Sequence, residues 1–395
     1  MSSFRLYRYF LREASAPMVL GLTVLTLVLL MGRLLRLMEL VVNKGVPLRE
    51  ILTLVACLLP GFLIVSLPLS FLLGIMMGFG RLSADGEILA MKSSGIGLWS
   101  MTKPILGLGL LVSLMTAGLT TTLKPIGERV FRQRLFQITT SRANIGIMPQ
   151  IFNNEFPGLV LYANEADERS GIMTGVFISD ERADAMPSLI LARTGQVLSN
   201  PRDLTLTLRL ENGTLHRQSR QASGRSFQVI GFATYDINLD LTPTGNSLEQ
   251  GEVKQKEMKL DDLHRALKKS PAAEERRQLR VDFHERLSLA VAPLLFALLG
   301  APLGIQPLRS GRGSGFAVGL LVFLTYYLLH SLANTLTSEG ALPVFALWLP
   351  NLLFLLAALV TWHRANQERP LPLAATCGHI ADWLAERLRR WEKPS

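Results

Sequence analysis

The sequence predicts an α-helical polytopic membrane protein with six transmembrane helices, three before and three after an inserted all-β, jelly-roll-like domain. Three observations predict this fold class. The 395 residues are 49% hydrophobic and only 18% charged, with a mean hydropathy of +0.29, a balance unusual for a water-soluble chain. The apolar residues gather into runs long enough to cross a bilayer at roughly 20 residues per span. There are six such runs, at about 15–38, 51–79, 101–123, 287–306, 314–336 and 343–362. Between the third and fourth lies a polar stretch of roughly 160 residues, enough for a domain of its own.

The first run follows Arg5, Arg8 and Arg12 and begins like a signal peptide from Pro17 to Met31. No small-residue cleavage site follows, and the apolar text continues into GRLLRLMEL. This predicts an uncleaved span with a cytoplasmic N-terminus. Alternation then puts the loops at 80–100 and 306–314 and the tail from 363 on the cytoplasmic side. These segments and their borders carry Arg81, Lys92, Lys103, Arg309 and Arg312, then six basic residues from Arg364 to Lys393. The short outer loops hold only Lys44 and Arg49. The positive-inside bias therefore agrees with the alternation and sends the large domain to the outer side.

Arg33 and Arg36 lie three residues apart near the outer end of the first span, after about 16 apolar residues. An arginine at mid-membrane costs roughly 2.5–3.5 kcal/mol on insertion scales, so its position needs a reason. Either the side chains snorkel to the outer head groups, or two guanidinium forks line a cavity that accepts an anionic head group, phosphate above all. The residues alone leave both readings open.

The second span, Ile51 to Phe79, is longer than a bilayer needs and contains Pro60 and Pro68, which predicts a tilted or kinked helix. Gly74 and Gly78, like Gly300 and Gly304, have the GxxxG spacing that permits close helix packing. Next comes a polar island, RLSADGEILAMKSSGIG, from Arg81 to Gly97. It predicts a short helix with Ser83 as N-cap, Asp85 and Glu87 in the first turn, Lys92 near the end and Gly95 closing it. Ala84, Ile88 and Met91 recur at helical spacing, giving one greasy side. A helix of this kind either rests on the bilayer or presses into a partner, and composition does not decide between them.

Residues 150–242 read as strands: LVLYANEA, GVFISDE, SLILART, DLTLTLRLENG and FQVIGFATYDINLDL alternate or carry β-branched and aromatic residues. Turn signals such as Asn212-Gly213 separate them. Short strands at this spacing predict a β-sandwich or jelly roll. From Gly251 to Arg280 the text turns helical and charged, as expected of a connector helix pair leading to the fourth span.

Several function classes are excluded. A net charge of +10 could point to nucleic acid, but residues 124–280 hold 22 Lys and Arg against 19 Asp and Glu, and the remaining excess sits at span ends. No nucleic-acid partner is expected. The two cysteines, Cys57 in the second span and Cys377 in the tail, form no CxxC pattern. There is no P-loop, so the chain cannot be such an ATPase by itself. His284-Glu285 lacks the second histidine of a metalloprotease helix, so no metal site is expected. His330, in the fifth span, is expected to pack rather than titrate. No catalytic residues emerge. HExxH, GxSxG and paired intramembrane aspartates are all missing, which argues against a hydrolase. An ion-coupled or scaffold protein for another lipid or envelope component is the alternative, but it needs polar relays that these spans nearly lack.

The passages RYFLRE, RLLRLM, LPLSFLLGIMMGFGRLSADGEILAMKSSGIG, LENGTL and HERLSLAVAPLLFALLGAPLGI, in that order around a three-plus-three layout, resemble the lipopolysaccharide-export permease family LptF/LptG. The resemblance covers most of the chain, and the paired basic residues of RLLR resemble the F type. It implies one transmembrane half of an ATP-binding-cassette exporter in the bacterial inner membrane, with both termini cytoplasmic and the β domain periplasmic. The implied partners are lipopolysaccharide, a paralogous G-type permease and a dimeric cytoplasmic ATPase of the LptB type. A single-span LptC-type protein and an LptA-type periplasmic bridge complete the set. This chain would hold no cofactor, ATP and magnesium being used by the ATPase. By position, Arg33 and Arg36 match basic residues that face lipid phosphates, and Glu87 matches the acidic residue of a coupling helix. Asp85, Ile88 and Met91 would lie beside it, the last two on the greasy face toward the ATPase. The expected organisation is 1–123 with the coupling helix at 81–97, a β domain with connectors at 124–280, spans at 281–363, and an amphipathic cytoplasmic tail at 364–395.

Overall fold

The computed structural model describes residues 3–44, 47–146, 148–156, 158–167, 171–182, 188–200, 205–221, 224–239, 255–269, 273–305 and 314–367. The loop basics Arg309 and Arg312 and the amphipathic tail from residue 368 lie outside the described residues. The chain divides into two compact units. One runs up to Glu128 and resumes at Gln255, and the other is Arg129–Lys254.

In the first unit the apolar runs form helices because a span in hydrocarbon must satisfy its backbone internally. They are α1 (Ser3–Lys44), α2 (Leu48–Ala84), the short α3 (Glu87–Ser93) and α4 (Leu98–Gly118). A π-helical turn, Leu119–Leu123, joins α4 to α5 (Lys124–Gly146), which carries the chain into the second unit. After the insertion come α6 (Leu260–Lys269), α7 (Ala273–Ile305), α8 (Ser314–Ser338), a 3-10 turn at Val344–Trp348 and α9 (Leu349–Asn366). Among the described residues six stretches are long and apolar enough to cross a membrane: Arg5–Leu35, Leu48–Ala84, Leu98–Ile138, Ala273–Ile305, Gly315–Ser338 and Val344–Asn366. The 37-residue α2 continues through Pro60 and Pro68. At 1.5 Å per residue it is about 55 Å long, against a hydrocarbon core of about 30 Å. One expectation changes. The second of the predicted connector helices is the start of α7 itself, because AEERRQLR offers no breaker before the apolar run.

Both GxxxG pairs are used inside this chain. A Cβ at Gly74 would lie 2.6 Å from the Ala14 carbonyl oxygen, and one at Gly78 3.0 Å from that of Glu13. Helices α1 and α2 therefore meet backbone to backbone. Pro17 contributes, since it cannot donate to the Glu13 carbonyl one turn back, and that oxygen is the one facing Gly78. Gly300 and Gly304 give α7 the same intimacy with α2, meeting Leu72, Ile75 and Phe79.

One core gathers Phe10, Phe79, Leu82, Ile88, Leu98, Ile305 and Ala365. The starts of α1 and α4, the ends of α7 and α9, and α3 therefore share one end of the bundle. A second core centres on Phe296, Tyr326 and Phe354. Two of its buried polar groups pair with each other and with the backbone: the Tyr326 hydroxyl donates to Asn351 Oδ1 at 2.7 Å, and Asn351 Nδ2 donates to the Ser288 carbonyl at 3.1 Å.

The second unit is one antiparallel sheet of six strands in chain order, β1 to β6. They are Asn153–Phe156, Leu159–Ala166, Ile172–Asp180, Ser188–Asn200, Thr205–Gln221 and Gly224–Leu239. Alternation buries Leu161, Ile178, Ile190, Leu208, Leu210 and Ile237 on one face, together with Phe136 of α5. An open flat sheet could not bury that face by itself, so the sheet curls over it. Arg182, just after β3, donates from Nε and Nη2 to the two Asp180 carboxylate oxygens and from Nη1 to the carbonyl of Asn238 in β6 at 2.7 Å. Three strand spacings of about 4.8 Å would separate β3 from β6 in a flat sheet, beyond one arginine's reach. The strands follow chain order, so the inserted β domain is an antiparallel meander held by this clasp.

Candidate functional site

The polar island is organised differently from the predicted single helix. Helix α2 runs to Ala84, Asp85 is its C-cap, and Gly86 turns the chain with φ +75 before α3 begins at Glu87. Ser83 is not the N-cap. Its hydroxyl donates instead to the Ile305 carbonyl at the end of α7. Gly95 does close the helix, with φ +81 and its N–H donating to the Lys92 carbonyl.

The predicted greasy side of α3 points inward. Ile88 is 3% exposed within the core at this end of the bundle, and Met91 packs partly buried against the same core. Ala84 belongs to α2 and is exposed. The physical reason is the pocket itself: Phe10, Phe79, Leu82 and Leu98 need a cap, and burying an isoleucine there contributes about 1.5–3 kcal/mol. The outward surface is formed by Asp85, Leu89 (72% exposed) and Ala90. Glu87 is half-buried at the edge of this surface, and its Oε2 accepts a hydrogen bond from the Tyr9 hydroxyl of α1 at 2.7 Å. Nearby, Arg81 pairs with Glu13 of α1 at 2.7 Å and lies 3.6 Å from Asp85.

Arg33 is exposed on α1. Arg36 falls three residues later in the same helix, and its side chain lies outside the described residues. Leu20, Val24, Leu27, Val28, Met31 and Leu35 of α1 are 52% to 68% exposed, an apolar surface turned away from the rest of the chain. Arg33 and α3 lie toward opposite ends of the bundle, and both α1 and α2 run between them.

A third polar site was not legible in the sequence. Lys124, Lys256, Asp282, Glu285 and Arg286 line a small cavity of about 40 Å³ with Thr120. Arg286 grips Asp282 at 2.6 Å and donates to the Met258 carbonyl at 2.6 Å, fastening the chain to α7 where it returns from the insertion. Three positive and two negative residues line this cavity, so the two carboxylates are outnumbered by basic groups. Among the described residues no group of three or more His, Cys, Asp or Glu could hold a metal. On the exposed face of the sheet, an open groove of about 810 Å³ is lined by Tyr162, Phe177, Leu191, Arg193 and Phe232, among others.

Residues 8–364 match the family described as "Lipopolysaccharide export system permease LptF/LptG". The chain belongs to this family. Among curated relatives it is 24% identical, over 89% of its own length and 93% of theirs, to the "Lipopolysaccharide export system permease protein LptF" of Escherichia coli (strain K12) and to its namesake in Shigella flexneri. Membership in LptF/LptG, with relatives of the F type, makes the chain a permease subunit of the lipopolysaccharide export system and not itself a catalyst. Its six apolar helices are those of a multi-pass inner-membrane protein, and the family implies a G-type permease beside it.

Proposed function

We propose that this chain is the F-type half of an ATP-driven exporter that extracts lipopolysaccharide from the outer leaflet of the inner membrane and passes it to a periplasmic bridge. Both termini and α3 face the cytoplasm, and the β domain faces the periplasm. A dimeric LptB-type ATPase docks on α3 and hydrolyses ATP there with magnesium as its own cofactor. Asp85 and Glu87 are the charged docking contacts and Leu89 the apolar one, while Ile88 and Met91 anchor α3 from within. Arg33 and Arg36 hold phosphate groups of the lipid near the outer end of α1. The β domain receives acyl chains, its open groove falling within the usual size of a ligand site, before transfer through LptC-type and LptA-type partners.

The observation that carries this reading is the exposed acidic and apolar surface of α3, held by its own buried side to the end of the bundle where α1 begins and α9 ends. A passive surface helix would turn its greasy side to lipid, whereas α3 spends that side on the protein core. Co-purification tests it: an LptB-type ATPase should come down with the wild-type complex and be lost with Glu87→Lys while the spans still insert. For the lipid site, Arg33→Glu with Arg36→Glu should weaken photocrosslinking of lipopolysaccharide to α1. Undiminished crosslinking and transport in that double variant would overturn the phosphate role.

A further inference from the structure

The RYFLRE passage marks one more working part. Tyr9, Phe10, Glu13 and Ala14 recur at helical spacing and share the face of α1 turned toward α3 and the end of α2. Each residue is engaged. The Tyr9 hydroxyl donates to Glu87 at 2.7 Å, and Glu13 pairs with Arg81 at 2.7 Å while being only 15% exposed itself. Phe10 is 1% exposed and stacks on Phe79, ring centroids 5.5 Å apart and planes 11° from parallel. The Ala14 carbonyl lies against Gly74. The coupling segment is thus fastened to α1 by two polar ties on either side of a packed aromatic pair.

We propose that Tyr9 is a positioning residue that fixes the Glu87 carboxylate and delivers movement of α3 to α1, the helix bearing Arg33 and Arg36. The inference rests on the docking role given above to α3. A half-buried glutamate on a seven-residue helix has several accessible rotamers, and a hydrogen bond from a neighbouring helix selects one of them. The same bond makes the carboxylate a joint, since a force applied by a docked partner at Glu87 is passed to Tyr9. Helix α1 continues from Ser3 to Lys44 with a single backbone bond missing at Pro17, and it is the element that carries a displacement at Tyr9 toward Arg33, roughly 36 Å further along at 1.5 Å per residue. Glu13 and Arg81 make the parallel connection from the end of α2. Docking on one face of the membrane and lipid release on the other then share a single mechanical element.

The test uses the complete complex, with its G-type permease and ATPase, in proteoliposomes loaded with lipopolysaccharide. The readout is lipid released per ATP hydrolysed, which a purely structural role of Tyr9 would leave unchanged. Tyr9→Phe removes one oxygen and keeps the ring. It should retain the ATPase subunit and lower the ratio by about fivefold, the scale expected for losing a charge-assisted hydrogen bond at a partly exposed site. Glu13→Gln should lower it in the same direction. In the double variant with Glu87→Met, which keeps the side-chain length but removes the acceptor oxygens, loss of the Tyr9 hydroxyl should add nothing further, because both changes break one joint. A parental ratio in Tyr9→Phe, or losses that multiply in the double variant, would overturn the positioning role. Loss of the ATPase subunit from Tyr9→Phe would overturn it as well, by making Tyr9 part of the docking surface. These results stand apart from the docking reading, which falls if Glu87→Lys keeps the ATPase and stands if Tyr9→Phe alone is silent.

Discussion

Replacing Arg286 by methionine should be among the most damaging single changes in the membrane unit. The Arg286 side chain is 8% exposed and its partner Asp282 19% exposed. Arg286→Met keeps much of the apolar stem but removes the hydrogen bonds to both Asp282 oxygens and to the Met258 carbonyl. Breaking a buried pair by removing one partner costs about 3–5 kcal/mol, mostly through the charge left behind. Lys124 and Lys256 line the same small cavity and will take up part of the stranded charge, which places the loss near 3 kcal/mol, the lower end of that range. Adding Asp282→Leu removes the stranded carboxylate, leaving chiefly the unpaired Met258 carbonyl, since Glu285 keeps Lys124 and Lys256 in the same cavity. The double variant should therefore return to within about 1–2 kcal/mol of the parent. Unfolding of the purified chain in mixed micelles, titrated with sodium dodecyl sulfate and analysed as a double-mutant cycle, measures both quantities. A single variant within about 1 kcal/mol of the parent would refute the reasoning, as would a double variant less stable than the single, because each contradicts the charge-stranding cost.

Three further outcomes follow from the packing and the charges. Gly74→Val places a Cβ against the Ala14 carbonyl and the Met18 Cβ; it should lower stability by about 1–3 kcal/mol and loosen α1, read as a reduced thermal midpoint and faster cross-linking of cysteines placed at the α1–α2 seam. Ile88→Ala should cost about 2–4 kcal/mol of stability, whereas Leu89→Ala should cost under about 0.5 kcal/mol yet weaken ATPase co-purification, a reversal that tests which face of α3 is outward. In the β domain, burial acts to raise the Asp180 carboxyl, but the hydrogen bonds from Arg182 outweigh it and hold the group below its ordinary value of 3.8. A depressed folded value means the clasp contributes fully above that pH and its contribution is lost as pH falls through the folded value; acid unfolding of the β domain should be blunted in Asp180→Asn, and an acid limb identical to the parent would count against the clasp.

Much of the architecture was legible because its physics is local. Six long apolar runs can only be spans, and alternation in LVLYANEA or TLTLRL can only put every second residue on the buried face. Both GxxxG pairs could be read as packing surfaces, but not that Gly74 and Gly78 receive α1 and Gly300 and Gly304 receive α2. The orientation of α3 was not legible. Helical spacing divides Ile88 and Met91 from Leu89, but nothing local says which side meets the core, and the half-open ring of Phe10, Phe79, Leu98 and Ile305 that decides it is drawn from four helices. The split at Gly86 was hidden for a related reason, since Ser83 had a better use at the Ile305 carbonyl than as a cap. Tyr9 with Glu87, and Arg286 with Met258, are long-range meetings on which spacing is silent; for the first, the only trace in the sequence was the RYFLRE passage.

The central claim is that α3 converts ATP hydrolysis by a docked partner into movement of lipopolysaccharide through this chain. Its most direct measurement is ATP-dependent release of lipopolysaccharide from proteoliposomes containing the complete complex, made with the parent chain or with Glu87→Lys. The account predicts release by the parent only when ATP is supplied, and none by Glu87→Lys although its spans insert and its β domain folds. Release at the parental rate from the charge-reversed complex, or parental release that ignores ATP, would contradict it.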